Sequence, residues 1–215
     1  MSETDPASLP ARAYLVCCDL DRGRLFDRMR TVFVVRAAAL AALALDGTAR
    51  DDSGTVLIDR PAVGRDPVLD QVAADLAEHR LHWRAALRRR HRWTCRLVEE
   101  QLAAAGAIAV TRRALGRARI SVADRASAAA LQRSIAAVLT DTRRAADVPP
   151  DEAALAVIAV SASVGPVATR LPGRAARSRA DDLADGLDAI APPLGRTLRQ
   201  LGSVIRGAMA AASGG

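Results

Sequence analysis

Residues 86–96 read ALRRRHRWTCR and place Arg88, Arg89, Arg90, Arg92 and Arg96 around His91 and Trp93. Each guanidinium is a planar fork of N–H donors matched to two oxygens of a phosphate or carboxylate, and it stays charged at physiological pH. Such a cluster collects anions. The guanidinium groups themselves supply neither a nucleophile nor a proton shuttle.

Two further placements extend this chemistry. The stretch TRRALGRAR (111–119) sets Arg112, Arg113, Arg117 and Arg119 around an apolar Leu115, with its tip near Leu115-Gly116. A basic hairpin with an apolar tip suits a membrane surface, the tip entering the interface and the arginines meeting lipid phosphates. Arg36 stands alone inside the apolar run TVFVVRAAALAALAL (31–45). A charge there is costly unless a carboxylate or a phosphate compensates it. The sequence leaves both partners open.

Residues for covalent or acid–base work are less well arranged. YLVCCDLDRG (14–23) sets Asp19 and Asp21 after an apolar run, as in the aspartate nucleophile of haloacid-dehalogenase phosphatases. The accompanying threonine is missing and no strand–helix alternation follows, so the aspartates read as a polar turn. His79 and His82 lack a third ligand for zinc. Glu99 and Glu100 diverge on a helix, Cys95 has basic neighbours but no partner histidine at a telling spacing, and there is no Gly-rich phosphate loop. The expectation is a protein that is not an enzyme and uses no metal or cofactor.

The whole composition is consistent with an anion binder. The 215 residues carry a formal net charge of +7 and a pI of about 10.9, and all 31 Lys+Arg positions are arginine. That balance points to nucleic acid, phospholipid or acidic proteins as partners. The absence of lysine, beside abundant Ala and Gly, reflects a GC-rich, bacterial-type genome, so only the placement of arginines argues for function. Hydrophobic residues make up 50% of the chain but aromatics only 2%, which calls for a core of Ala, Leu, Val and Ile in close-packed helices. Cys17, Cys18 and Cys95 form no disulfide framework and indicate a reducing compartment. The acidic, polar opening MSETDPASLPAR is no signal peptide. Neither apolar stretch, at 31–45 or at 153–168, reaches the ~20 residues of a spanning helix. A soluble, cytoplasmic protein is expected.

The elements that must position these residues can be read in outline. Residues 1–8 form a loose tail, and 9–212 form one domain. A first helix covers 9–18, and a buried central helix covers 31–45 and stops at Asp46-Gly47. TARDDSGTVLID reads as a β-hairpin. Asp66-Pro67 is an N-cap with proline at the first helical position. One long helix spans about 80–105 and ends at Gly106, followed by the basic hairpin and a helix capped by Asp124. Helices near 150–162, 175–190 and 194–211 complete the chain. The fold class is mainly α: a single helical domain with two small β-hairpins, one of them shortened and basic after the arginine-rich helix. Projected at about 100° per residue, Trp83, Leu87, Thr94, Leu97 and Val98 share one stripe of that long helix. Arg88, Arg89, Arg92 and Arg96 share the opposite one, with Glu99 among them.

Three segments in order resemble the Golgi phosphoprotein 3 family, as a bacterial-type member. VVRAAALAALALDGTA (34–49) is similar to its LRxxxLxELALRGRI helix. RPAVGRDPVLDQVAADL (60–76) is similar to its APTGDxLLDEAL segment, and RLVEEQLAAAGAIAV (96–110) to its RLVEKGVL helix end and hairpin. The resemblance implies a mostly α-helical, peripheral membrane domain that binds phosphatidylinositol 4-phosphate. Its head-group pocket uses a tryptophan, an arginine of the buried helix and two basic residues three apart in the long helix. Arg36 matches the arginine and Arg92 the first long-helix position. The second falls on Cys95, with Arg96 and Arg88 on neighbouring parts of the helix, and the tryptophan falls near Phe26. The family's role in gathering glycosyltransferase tails belongs to cells with a Golgi, so any protein cargo here is unspecified.

The functional expectation is therefore a protein docking reversibly on the inner face of an anionic or phosphoinositide-bearing membrane. Arg36, Arg92, Arg96, Arg88 and Phe26 form the head-group site, and Arg112, Arg113, Leu115, Arg117 and Arg119 touch the membrane. A winged-helix DNA binder ranks second, because an arginine-rich helix followed by strand, basic hairpin and strand is also that order.

Overall fold

The Asp27 side chain accepts the Arg30 amide at 3.1 Å and starts the central helix α2, Arg28–Leu45, three residues before the point read from hydropathy. The computed structural model describes residues 8–59, 66–111, 118–168 and 173–213. The expected tail at 1–8 lies outside this apart from Ser8, as do Arg112, Arg113, Leu115 and Arg117 of the hairpin.

In chain order α1 (Leu9–Val16) leads into the short pair β1 (Cys18–Asp19) and β2 (Arg24–Leu25), then α2. β3 (Ala49–Asp52) and β4 (Thr55–Ile58) form the expected hairpin, and β5 (Leu81–His82) adds a third strand beyond α3 (Pro67–Ala77). Next come α4 (Trp83–Arg88), α5 (His91–Ala104), the antiparallel pair β6 (Ile108–Thr111) and β7 (Arg119–Val122), and α6 (Arg125–Val138). The remainder is helical: α7 (Pro150–Ser161), α8 (Gly165–Ala168), α9 (Gly173–Ile190), α10 (Leu194–Arg199) and α11 (Leu201–Ser213). The protein is mainly α, as expected. Among the described residues, no helix is long and apolar enough to cross a membrane.

α2 is buried on all sides and packs against α1, α3, α4, α5, α7 and α11. Its small residues Ala37, Ala38, Ala39 and Ala41 let those neighbours approach closely, and Phe33, Leu40 and Leu43 fill the gaps. α10 meets α9 through Gly195, where a Cβ would stand 1.8 Å from the Ala184 carbonyl oxygen. Caps are where the sequence places them. Asp66 accepts the Val68 amide at 2.8 Å before Pro67, Asp124 accepts the Ser127 amide at 2.9 Å, and Gly106, at φ +70, ends α5. Asp19 accepts the Arg22 amide at 3.0 Å and closes the polar turn read from the sequence. The turn before β2 lies against β7, Gly23 accepting the Ile120 amide at 2.8 Å.

The long helix is interrupted. The helix read over 80–105 is two helices, α4 and α5, separated by Arg89 and Arg90. Arg89 is extended and Arg90 is left-handed at φ +45, so the i to i+4 ladder breaks between them. Angles projected across residues 83–98 as one helix therefore do not hold across the break. The expected C-terminal helix is likewise divided, at Gln200.

Candidate anion-binding elbow

α4 and α5 meet at an elbow seated on α2. Beneath it Arg36 is 0% exposed. Its Nε donates to the Ala86 carbonyl at 3.0 Å and Nη1 to the Thr94 hydroxyl at 3.1 Å. Nη2 lies 3.8 Å from Asp75 Oδ2, an ionic contact too long for a hydrogen bond, and has no hydrogen-bond partner. Of the two partners the sequence leaves open, the structure places a carboxylate. Burial lowers the Arg36 pKa to about 10; Asp75 works against that shift, and Arg89 and Arg90 add to it.

Asp75 joins the elbow together. Arg89 donates to it through Nε and Nη2 at 2.9 to 3.2 Å, and Arg90 Nε stands 3.4 Å away. Three guanidinium groups thus share one buried carboxylate, and the node keeps an excess of positive charge. Arg90 also lies over the Trp93 ring, 5.5 Å from its centroid. These contacts hold a residue without a glycine's freedom in the left-handed region.

His91 opens α5. Its ring stacks on Phe33 with centroids 4.2 Å apart, and Nδ1 stands 2.7 Å from the Arg88 carbonyl, which can only accept, so Nδ1 carries the proton. Burial pushes the His91 pKa below its usual value. The Arg88 carbonyl opposes this, and the charges of Arg92, Arg36 and Arg88 reinforce it. Arg88 and Arg92 therefore flank His91, both exposed, and among the described residues neither has an ion-pair partner. No side chain caps α5 and no acid occupies its first turn, so its amides and dipole also face an approaching anion.

The other sequence-read residues are placed differently. Arg96 is exposed one turn beyond Arg92, on an open cleft of about 370 Å³ lined with Glu99, Glu100, Ala103 and Val110. Acids on that cleft make it a poorer anion site than the elbow. Phe26 is 38% exposed and its ring lies against Gly165, where a Cβ would come within 2.1 Å of it. Arg119 is exposed, its side chain along Gly23. Arg112, Arg113, Leu115 and Arg117 lie outside the described residues. Glu99 does not share the arginine face: it is buried, accepting from Tyr14 Oη at 2.9 Å and from Arg28 Nη2 at 3.5 Å. Cys95, at the family's second basic position, is buried too.

Asp75 was missed, although the sequence carries its signal. At helical spacing it falls at the edge of the stripe of Val68, Val72 and Leu76, an isolated carboxylate bordering an apolar face. Arg84, exposed and without an ion-pair partner among the described residues, sits one turn before Arg88 and was also missed. Among the described residues no group of three His, Cys, Asp or Glu side chains could hold a metal.

Comparison with known proteins matches residues 9–201 to the family model described as Golgi phosphoprotein 3 (GPP34). No curated protein matches the chain. The match spans nearly the whole helical domain, elbow included, and the chain belongs to the Golgi phosphoprotein 3 family.

Proposed function

We propose that the elbow docks this protein on anionic phospholipid head groups, phosphoinositides among them, and that the protein acts as a reversible peripheral membrane binder rather than an enzyme. The observation that carries this reading is the division of labour among the arginines. Arg36, Arg89 and Arg90 turn onto Asp75, whereas Arg88 and Arg92 flank the uncapped start of α5 with no carboxylate among the described residues to satisfy them. A phosphate there gains two guanidinium forks and the helix amides. Arg36, having no surface, serves as a positioning residue that holds the elbow. Arg84 and Arg96 extend the basic surface by one turn on either side.

A second reading is favoured by one feature. A six-residue helix, a two-residue break, a longer helix and an antiparallel pair is the order of a winged helix-turn-helix. Both readings lose affinity with salt, so competition separates them. Flotation would use neutral, anionic and phosphoinositide vesicles at matched charge, with duplex DNA as competitor. The membrane reading expects binding to anionic vesicles that DNA does not displace, and its loss in Arg88→Glu/Arg92→Glu with helicity unchanged. Absence of flotation, displacement by DNA, or normal binding by the double variant overturns it.

A further inference from the structure

We propose that the open cleft beside α5 and β6 binds a zwitterion whose phosphate and primary ammonium are joined by two carbons, as in an ethanolamine-phosphate group. The cleft has a volume of about 370 Å³ and is lined by Arg96, Glu99, Glu100, Ala103 and Val110. That volume is within the usual range of small-ligand sites. The ligand and the stretch of α5 both differ from those of the elbow, so only the choice between a lipid and a soluble source rests on the membrane reading.

The charges facing this cleft select a zwitterion. Glu99 is 6% exposed and already compensated within the chain, by Tyr14 Oη at 2.9 Å and Arg28 Nη2 at 3.5 Å. Arg96 and Glu100 are exposed, and among the described residues neither has an ion-pair partner. They stand one turn apart without pairing with each other, and basic-before-acidic is the weaker order for such a pair. One guanidinium fork and one carboxylate are left over, with no net charge between them. A simple anion gains at Arg96 and is repelled at Glu100, and a simple cation meets the reverse. A ligand carrying both charges satisfies both side chains.

The helix and the lining fix its orientation and type. Arg96 takes the phosphate in its planar fork. Glu100 lies towards the C-terminus of α5, where the dipole favours positive charge and no basic residue occupies the last turn. The ammonium therefore points to Glu100. A two-carbon link, lying along Ala103 and Val110, reaches between side chains that do not touch each other, whereas an α-amino acid holds its charges closer together. The ammonium must also be primary. A carboxylate binds it through N–H donors, which a trimethylammonium lacks; that group is held by aromatic faces, and no described residue lining the cleft is aromatic.

Titration of the isotope-labelled whole chain with glycerophosphoethanolamine, followed by amide NMR shifts, tests this, with glycerophosphocholine as the control. The expected result is saturable shifts at Glu100, Ala103 and Val110 with the ethanolamine compound and none with the choline one. Arg96→Gln and Glu100→Gln, at unchanged helicity, should each weaken binding by about tenfold or more, because each removes a charge-assisted bond. Absence of saturable shifts, equal binding of the choline compound, or variants that bind like the wild type overturns the proposal. Flotation with phosphatidylethanolamine or phosphatidylcholine vesicles of equal anionic content then identifies the source. An ethanolamine preference that disappears in Glu100→Gln assigns the cleft to a lipid, and no preference beside intact binding of the soluble compound assigns it to a soluble zwitterion. Failure of all flotation overturns the elbow reading, and the titration, which needs no membrane, still decides the cleft.

Discussion

Arg36 on α2 and Asp75 on α3 meet in the interior with Nη2 and Oδ2 3.8 Å apart, both nearly sealed from solvent. The arginine keeps its charge at neutral pH, since burial lowers its pKa only to about 10. Asp75→Asn would leave that charge uncompensated beside Arg89 and Arg90. Breaking a buried pair from one side costs about 3–5 kcal/mol. Urea unfolding should register a loss of that size. Arg36→Met should cost less, because Asp75 retains Arg89 and an apolar chain of similar length fills the space. It should also weaken vesicle binding, but by less than Arg88→Glu/Arg92→Glu, because Arg36 holds the elbow without touching the lipid. If Arg36→Met costs more than Asp75→Asn, the pair is not what holds the elbow.

His91 makes the elbow sensitive to mild acid. Its folded-state pKa lies below the unfolded value, with burial the leading cause. Above about pH 6.5 the ring is neutral in both states and its contribution to stability is complete. As pH falls below that, the unfolded chain takes up a proton that the folded chain resists, and stability is lost down to the folded pKa. Thermal unfolding at pH 7.5 and pH 5 should show a larger drop in Tm for the wild type than for His91→Phe, which keeps a ring against Phe33 but does not titrate. Equal drops would show that other groups set the acid response.

The three cysteines should be inert in the fold. Burial pushes the Cys18 and Cys95 thiols up to about 12 and raises Cys17 as well. At pH 8 the thiolate that reacts with a maleimide is then scarcer by roughly a thousandfold than in a free cysteine. Mass spectrometry should find no label on the native chain and three after unfolding. Rapid native labelling of Cys95 would mean that α5 opens far more readily than its packing indicates.

Much of the fold is written in local signals. Asp66-Pro67, Asp124 and Gly106 act over three or four residues, so their roles could be read without knowing what packs nearby. β5 could not be read this way, because two residues become a strand only when β4 is already beside them. The break at Arg90 is of the same kind. Arginine is no helix breaker, and Arg90 stands at φ +45 where Asp75 and the Trp93 ring, brought there by packing, contact it.

By itself the sequence determined that the chain would be helical, Ala-rich and basic, and that arginines would concentrate beside Trp93 and around Leu115. Those properties follow from residue type and short-range spacing. Which arginines face outward was decided by tertiary structure. Arg36, Arg89 and Arg90 are chemically the same as Arg88 and Arg92, yet Asp75, on another helix, draws in the first three and leaves the other two flanking the start of α5. A guanidinium pairs with whichever carboxylate the packing brings within reach, and that distance is set by helices far apart in the chain.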